Sequence, residues 1–150
     1  MNTKLVSSID ALARSRLVTI SADALLVDVA KLLSDTHLSL VVVCDFDGAM
    51  VGVITKTNIV QQIGHCPESA CTTAAADVMT RDVTYCRPTD PLPDVLSMMQ
   101  KRGFVHIPVV DENSKPLGVV NALDALRALL TEEKYEASLL RDYVMGVGYR

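Results

Sequence analysis

The chain has 150 residues, 49% hydrophobic and 21% charged, with a net charge of −4 from 14 Lys and Arg against 18 Asp and Glu. This is globular composition at its apolar end, which argues against disorder as the dominant state. Without a basic excess, and with 4% aromatic residues and no Trp, there is no electrostatic or stacking case for specific nucleic-acid binding.

In chain order, Met1 to Ile9 lacks the apolar core of a signal peptide, and no stretch approaches the roughly 18 apolar residues of a membrane span. The expectation is a cytoplasmic protein with no membrane partner. Leu17-Val18-Thr19-Ile20 reads as a short strand. Val29, Leu32 and Leu33 then share one face of a helix. Leu40 to Val43 is a buried-type strand, Asp45-Phe46-Asp47-Gly48 a turn, and Met50 to Ile54 a further strand. A second helix starts near Thr57. The segment 64–73 is rich in Gly, Pro, Ser and Thr and reads as a linker. Ala74 to Met79 predicts a short helix leading into the second half of the chain.

The pattern then repeats at a fixed offset of 66 residues. Leu26-Val27-Asp28-Val29 falls on Leu92-Pro93-Asp94-Val95, Val43-Cys44-Asp45 on Val109-Val110-Asp111, and Gly52-Val53-Ile54 on Gly118-Val119-Val120. Seven of 35 positions are identical without a gap, and the apolar pattern persists between them. A period this long marks a supersecondary unit used twice around a shared core. The second copy predicts a strand at Val83 to Cys86 and a helix with Val95, Met98 and Met99 on one face. Pro93 suits its first turn and Gly103 its stop. Strands at His106 to Val109 and Leu117 to Val120 come next, with a turn over Asp111 to Ser114 and a helix from Ala122. The expected divisions are a first repeat over 6–63, a linker over 64–73, a second repeat over 74–130 and a helical tail over 131–150. The fold class is α+β: two β-α-β-β-α repeats packed as a pseudo-two-fold pair.

This order, used twice, resembles the CBS domain family. The strings Ala76 to Val83, Ile107 to Asp111 and Gly118 to Asp124 resemble the family's lead-in, central strand and ribose-binding segment. The likeness runs from about Val6 to Leu130. It implies a stand-alone pair of the Bateman type, with two clefts between the repeats. The family binds AMP, ADP, ATP, NAD-type ligands or S-adenosylmethionine there, regulates partners and performs no chemistry itself.

The resemblance assigns Asp124 to the ribose hydroxyls, a charge-assisted pairing. The plain alternative is an acidic residue near a helix N-terminus that Asn121 caps. Asn58 is the equivalent of Asp124 and carries no charge, so the first cleft departs from the family pattern. Thr55, with Thr57 beside it, holds the hydroxyl position that suits phosphate or an N-cap; Asn121 replaces that hydroxyl in the second copy. His106 stands where some members carry a phosphate-binding cation, and a protonated imidazole would serve. Arg102, Lys101 and Lys56 are further phosphate candidates, each also readable as a solvated charge. Ile20, Val83, Tyr85, Ile107 and Pro108 are the expected adenine walls or, more plainly, core.

Cys44 and Cys86 read as small core residues. His65, Cys66 and Cys71 fit no zinc spacing, and no catalytic constellation stands out. The expectation is therefore no catalytic site, no metal and no required cofactor. The partners expected are an adenine nucleotide, a second copy in a homodimer and a separate regulated protein. A ligand-free interaction scaffold of the same fold is the alternative.

Overall fold

The computed structural model describes residues 3–65 and 73–130. A 3-10 turn, Val6–Ile9, runs into helix α1 (Asp10–Ser15). The first copy continues with β1 (Thr19–Ser21), α2 (Leu26–Thr36), β2 (Leu40–Cys44), β3 (Met50–Thr55) and α3 (Lys56–His65). The second comprises α4 (Ala75–Val78), α5 (Leu92–Arg102), β4 (His106–Val110), β5 (Pro116–Asn121) and α6 (Ala122–Leu130). This is an α+β fold with one three-stranded sheet, β1-β2-β3, and one two-stranded sheet, β4-β5. Most of the expected linker, the tail helix over 131–150, and Cys66 and Cys71 lie outside the described residues.

The copies superpose in detail. Both hairpins carry a register shift at the same place, between Val43 and Cys44 and between Val109 and Val110. Both turns are organised by an aspartate. Asp45 Oδ1 accepts from the Asp47 and Ala49 amides, and Asp111 Oδ1 from those of Asn113 and Lys115. These side chains add to the backbone bonds of the turns, Gly48 N–H to the Asp45 carbonyl at 3.0 Å and Ser114 N–H to the Asp111 carbonyl at 3.1 Å. Helix α2 ends on His37 at φ 58° and α5 on Gly103 at φ 74°. Glycine takes that left-handed position at no steric cost, whereas the imidazole residue is held there against its preference.

One difference between the copies has a covalent cause. β1 pairs with β2 over three residues, and the Val42 amide donates to the Val18 carbonyl at 3.0 Å. In the second copy Val42 becomes Pro108, which has no N–H to donate. The strand expected over Val83 to Cys86 shrinks to a single bridge, Cys86 with Val109.

The lead-in segments are exchanged. α4 leads in sequence into the second copy but packs on the first: Ala75 and Met79 join the core of Leu26, Val29, Val41 and Ile54. Leu25 bridges Ala74, and Val53 and Thr80 exchange both backbone bonds at 2.8 and 3.0 Å. The N-terminal segment, in turn, packs on the second copy. Val6 and Ile9 join the core of Leu92, Val95, Met99 and Val120, and Leu5 bridges Pro91. Helix α1 carries no periodic signal in the sequence, because only Ala13 of its six residues is buried. What seats it is Gly118: a Cβ there would lie 2.8 Å from Ala13 Cβ. Gly52 plays the same part under α4, with Met79 Sδ 2.6 Å from where a Cβ would stand. A third apolar cluster (Leu40, Val42, Cys44, Val53 and Val119, with Leu17 and Val83 against it) joins the copies along the seam. A cavity lined by residues of both copies opens beside that seam.

Candidate functional site

The first copy's helix α3 starts at Lys56, which makes Thr55 its N-cap and Asn58 its third residue. Asn58 Oδ1 accepts from the Thr55 amide at 2.9 Å and its hydroxyl at 3.1 Å, while the Asn58 amide donates to Thr55 Oγ1 at 3.3 Å. This is a reciprocal capping box. It engages the Asn58 oxygen, while the Thr55 side chain lines a cavity of about 160 Å³. Leu40, Val53, Val83, Phe104, Ile107 and Pro108 form its apolar walls, and Thr55, Thr80, Thr84, Asp82 and His106 its polar groups. Ligand pockets commonly run from ~300 Å³ upward. The enclosed part of this cavity falls below that range.

The second copy repeats the cap with different residues. Asn121 Oδ1 accepts from the Leu123 and Asp124 amides at 2.9 and 3.1 Å. That fixes the amide, so its Nδ2 is the atom 3.0 Å from His106 Nε2. An amide nitrogen only donates, so Nε2 accepts and the imidazole proton sits on Nδ1, a tautomer assigned from the hydrogen-bond pattern. Burial, then the Arg16 cation, push His106 below its ordinary value, with Asp124 pulling weakly the other way. In this arrangement the His106 Nε2 is a hydrogen-bond acceptor held by Asn121.

Asp124 is the one buried charged residue among the described residues, 4% exposed. Arg16 grips it with both arms of the guanidinium: Nε donates to Oδ2, and Nη2 to Oδ1 at 3.0 Å. The bond to Asp124 raises the arginine above its already high ordinary value, against the opposing cost of burial. Arg16 is the residue of the candidate site that sequence reasoning missed. It stands 108 residues from Asp124, in a segment that gave no helix or strand signal of its own. The available clue was the repeat: 66 residues on from Arg16 is Asp82, the opposite charge at an equivalent place.

The structure thus brings Thr55, Val83, His106, Ile107 and Pro108 to one cavity. Asn121 and Asp124 sit in the adjoining polar cluster, which His106 joins through Asn121. It does not bring in Ile20, which packs in the first copy's core, or Tyr85, which is exposed with Arg87 over its ring at 5.7 Å. Thr57 and Lys56 are exposed on α3, and Lys101 and Arg102 line a separate hollow on α5. Cys44 and Cys86 are buried and free. Burial, helped by Asp90, pushes the Cys86 thiol up to about 12; burial, helped by Asp45, raises Cys44. Both therefore stay protonated at neutral pH. No group of three metal-ligating side chains occurs among the described residues. No helix among them is long and apolar enough to cross a membrane.

Known proteins share this architecture. The CBS domain pair of protein MJ0100, solved in complex with 5′-methylthioadenosine and S-adenosyl-L-methionine, is 23% identical with a TM-score of 0.73, over 88% of this chain and all of that one. CBSX2, solved in complex with AMP, is 20% identical with a TM-score of 0.72, over 85% of this chain and 97% of that one. An uncharacterized 17.7 kDa protein of Acidianus ambivalens is 25% identical over 96% of this chain and 86% of its own length. The chain spans about half the length of some longer curated relatives, 49% in one case. The CBS domain model itself matches residues 6–65 and again 75–131. With both repeats matched and the paired fold reproduced, the chain belongs to the CBS domain family.

Proposed function

We propose that this chain is a regulatory module that binds adenine-containing ligands in the clefts between its repeats and performs no chemistry on them. The observation that carries the reading is the cavity between the copies, with flat apolar walls at Val83, Ile107 and Pro108 and hydroxyls at Thr55, Thr80 and Thr84. Apolar walls with a few convergent polar groups are what an adenosine needs. The ligands of the MJ0100 pair and of CBSX2 support the class. In the second cleft Asp124 takes the ribose hydroxyls once Arg16 releases it. Ligand must favour one arrangement of the repeats for regulation to result. The output then passes to a separate cytoplasmic partner or through a two-fold homodimer, for which exposed Leu12 on α1 and Val60 and Ile63 on α3 supply apolar surface.

Calorimetry and thermal melting with AMP, ADP, ATP, NAD and S-adenosylmethionine test the reading. A ligand at a hundred times its Kd stabilises the fold by about 2.7 kcal/mol, a readily measured melting shift. No heat and no shift at millimolar concentration of any of them would sink it. The ligand-free scaffold is favoured by one observation: the Arg16–Asp124 pair and the Asn58 capping box satisfy both candidate ribose acceptors internally. Nucleotide absorbance at 260 nm in the purified protein would count against the scaffold.

A further inference from the structure

We propose that the two clefts sort adenosine ligands by charge, through Asp82 at the first and Arg16 at the second. The first takes an adenosine derivative that lacks phosphate, with a cationic 5′ substituent favoured. The second takes a 5′-phosphate. The inference rests on the adenine-ligand reading above and deepens it.

The repeat puts Arg16 and Asp82 at equivalent positions, so each helps to form the cleft that its lead-in reaches. Asp82 lines the first cavity, where the other polar groups are the hydroxyls of Thr55, Thr80 and Thr84 and the imidazole of His106. His106 adds no positive charge there, because its Nε2 accepts from Asn121. Among the described residues no Lys or Arg lines this cavity, although Arg102 borders it, 5.3 Å over the ring of the wall residue Phe104. Arg81 donates to the Ala76 carbonyl at 3.0 Å, and Lys56 faces a hollow between α2 and α3. A phosphate entering this cleft meets a carboxylate and no lining cation. A sulfonium or amine meets an opposite charge.

The second cleft has the reverse logic. Asp124 is 5% exposed at its side chain and bound by both arms of Arg16. A ribose can reach Asp124 only if Arg16 lets go, and a buried charge stripped of its partner is costly. A nucleoside alone leaves the guanidinium without an acceptor. A nucleoside 5′-phosphate completes the exchange: its hydroxyls donate to Asp124, and its phosphate oxygens accept from Arg16, a planar fork suited to bidentate phosphate binding.

The test titrates AMP and S-adenosylmethionine separately into the full chain at low salt, following amide shifts by NMR. Val83 and Thr84 report the first cleft, Leu123 and Asp124 the second. AMP is expected to move the second pair and S-adenosylmethionine the first. Asp82→Asn removes an exposed charge and leaves the fold intact. It should weaken S-adenosylmethionine about threefold and strengthen AMP in the first cleft by a similar factor, as befits a solvated charge. Both changes should fade as salt rises. The reverse assignment of ligands to clefts, or an Asp82→Asn variant whose ratio of the two affinities is unchanged, overturns the proposal and leaves the adenine-ligand reading standing. Absence of binding by both ligands also overturns the proposal, and the adenine-ligand reading falls with it only if ADP, ATP and NAD fail to bind as well.

Discussion

At the scale of single residues, the capping residues set the chemistry of the site. Thr55 and Asn121 occupy equivalent positions, yet Thr55 closes a box with Asn58 while Asn121 divides its amide between α6 and His106. The second arrangement needs a neutral imidazole, since a protonated ring has no acceptor for the Asn121 amide. Burial, and then the Arg16 cation, hold His106 below 6.5, the ordinary histidine value, which agrees with that requirement. The unfolded chain binds that proton more readily, so the contribution to stability is complete above about pH 6.5 and is lost as pH falls through the lower folded value. Imidazole shifts followed by NMR should show His106 titrating below the free-histidine value. His106→Gln should lose part of the acid sensitivity of the melting temperature. Titration of His106 at or above the ordinary value would contradict the assigned tautomer. Asn121, Asp124 and His106 were legible in the sequence as site candidates. Arg16 was not, because its partner lies across the seam and an ion pair between distant segments leaves no local pattern. Ile20 and Tyr85 mark the opposite limit: apolar residues on a strand do not declare in sequence whether they face a cleft, the core or solvent.

At the scale of elements, the hydrophobic pattern located the strands of both β-hairpins to within a residue or two and the buried face of the long helices α2 and α5, because each buries one face. Val29 and Leu33 on α2 and Val95 and Met99 on α5 are buried as their spacing requires. The elements that periodicity did not give are those held by shape or by backbone bonding. The first strand of the second copy is cut short by Pro108, and α1 is held by contact with Gly118 instead of by an apolar stripe. Gly118→Ala should accordingly displace α1, since the added methyl meets backbone atoms of Ala13 at 2.8 and 2.9 Å that cannot swing aside. We expect a loss of about 1–3 kcal/mol, the usual cost of overpacking, measured by denaturant unfolding. A variant as stable as the parent would show that α1 does not depend on this contact.

At the scale of the whole molecule, the exchanged lead-ins tie each copy to the other. The N-terminal segment completes the core around Leu92 and Val120, and α4 completes the one around Leu26 and Ile54. Neither copy can bury its apolar face after losing the other, so the pair should unfold in one transition. Hydrogen exchange of the β3 and β5 amides should give the same opening free energy; clearly different values would mean that the copies unfold independently. The same exchange of lead-ins carries Arg16 to Asp124 and Asp82 to the Thr55 cavity, and on the proposal above it makes the two sites unlike in charge although the copies are alike in fold. The most direct test of the account is calorimetric titration of AMP into the parent chain and Asp124→Ala, with S-adenosylmethionine binding as the control for folding. The expected result is measurable AMP binding by the parent, weakened tenfold or more in the variant, as loss of hydrogen bonds to a charged acceptor implies, with S-adenosylmethionine binding retained. An AMP affinity that is the same in both proteins, or no AMP binding by the parent, would contradict it.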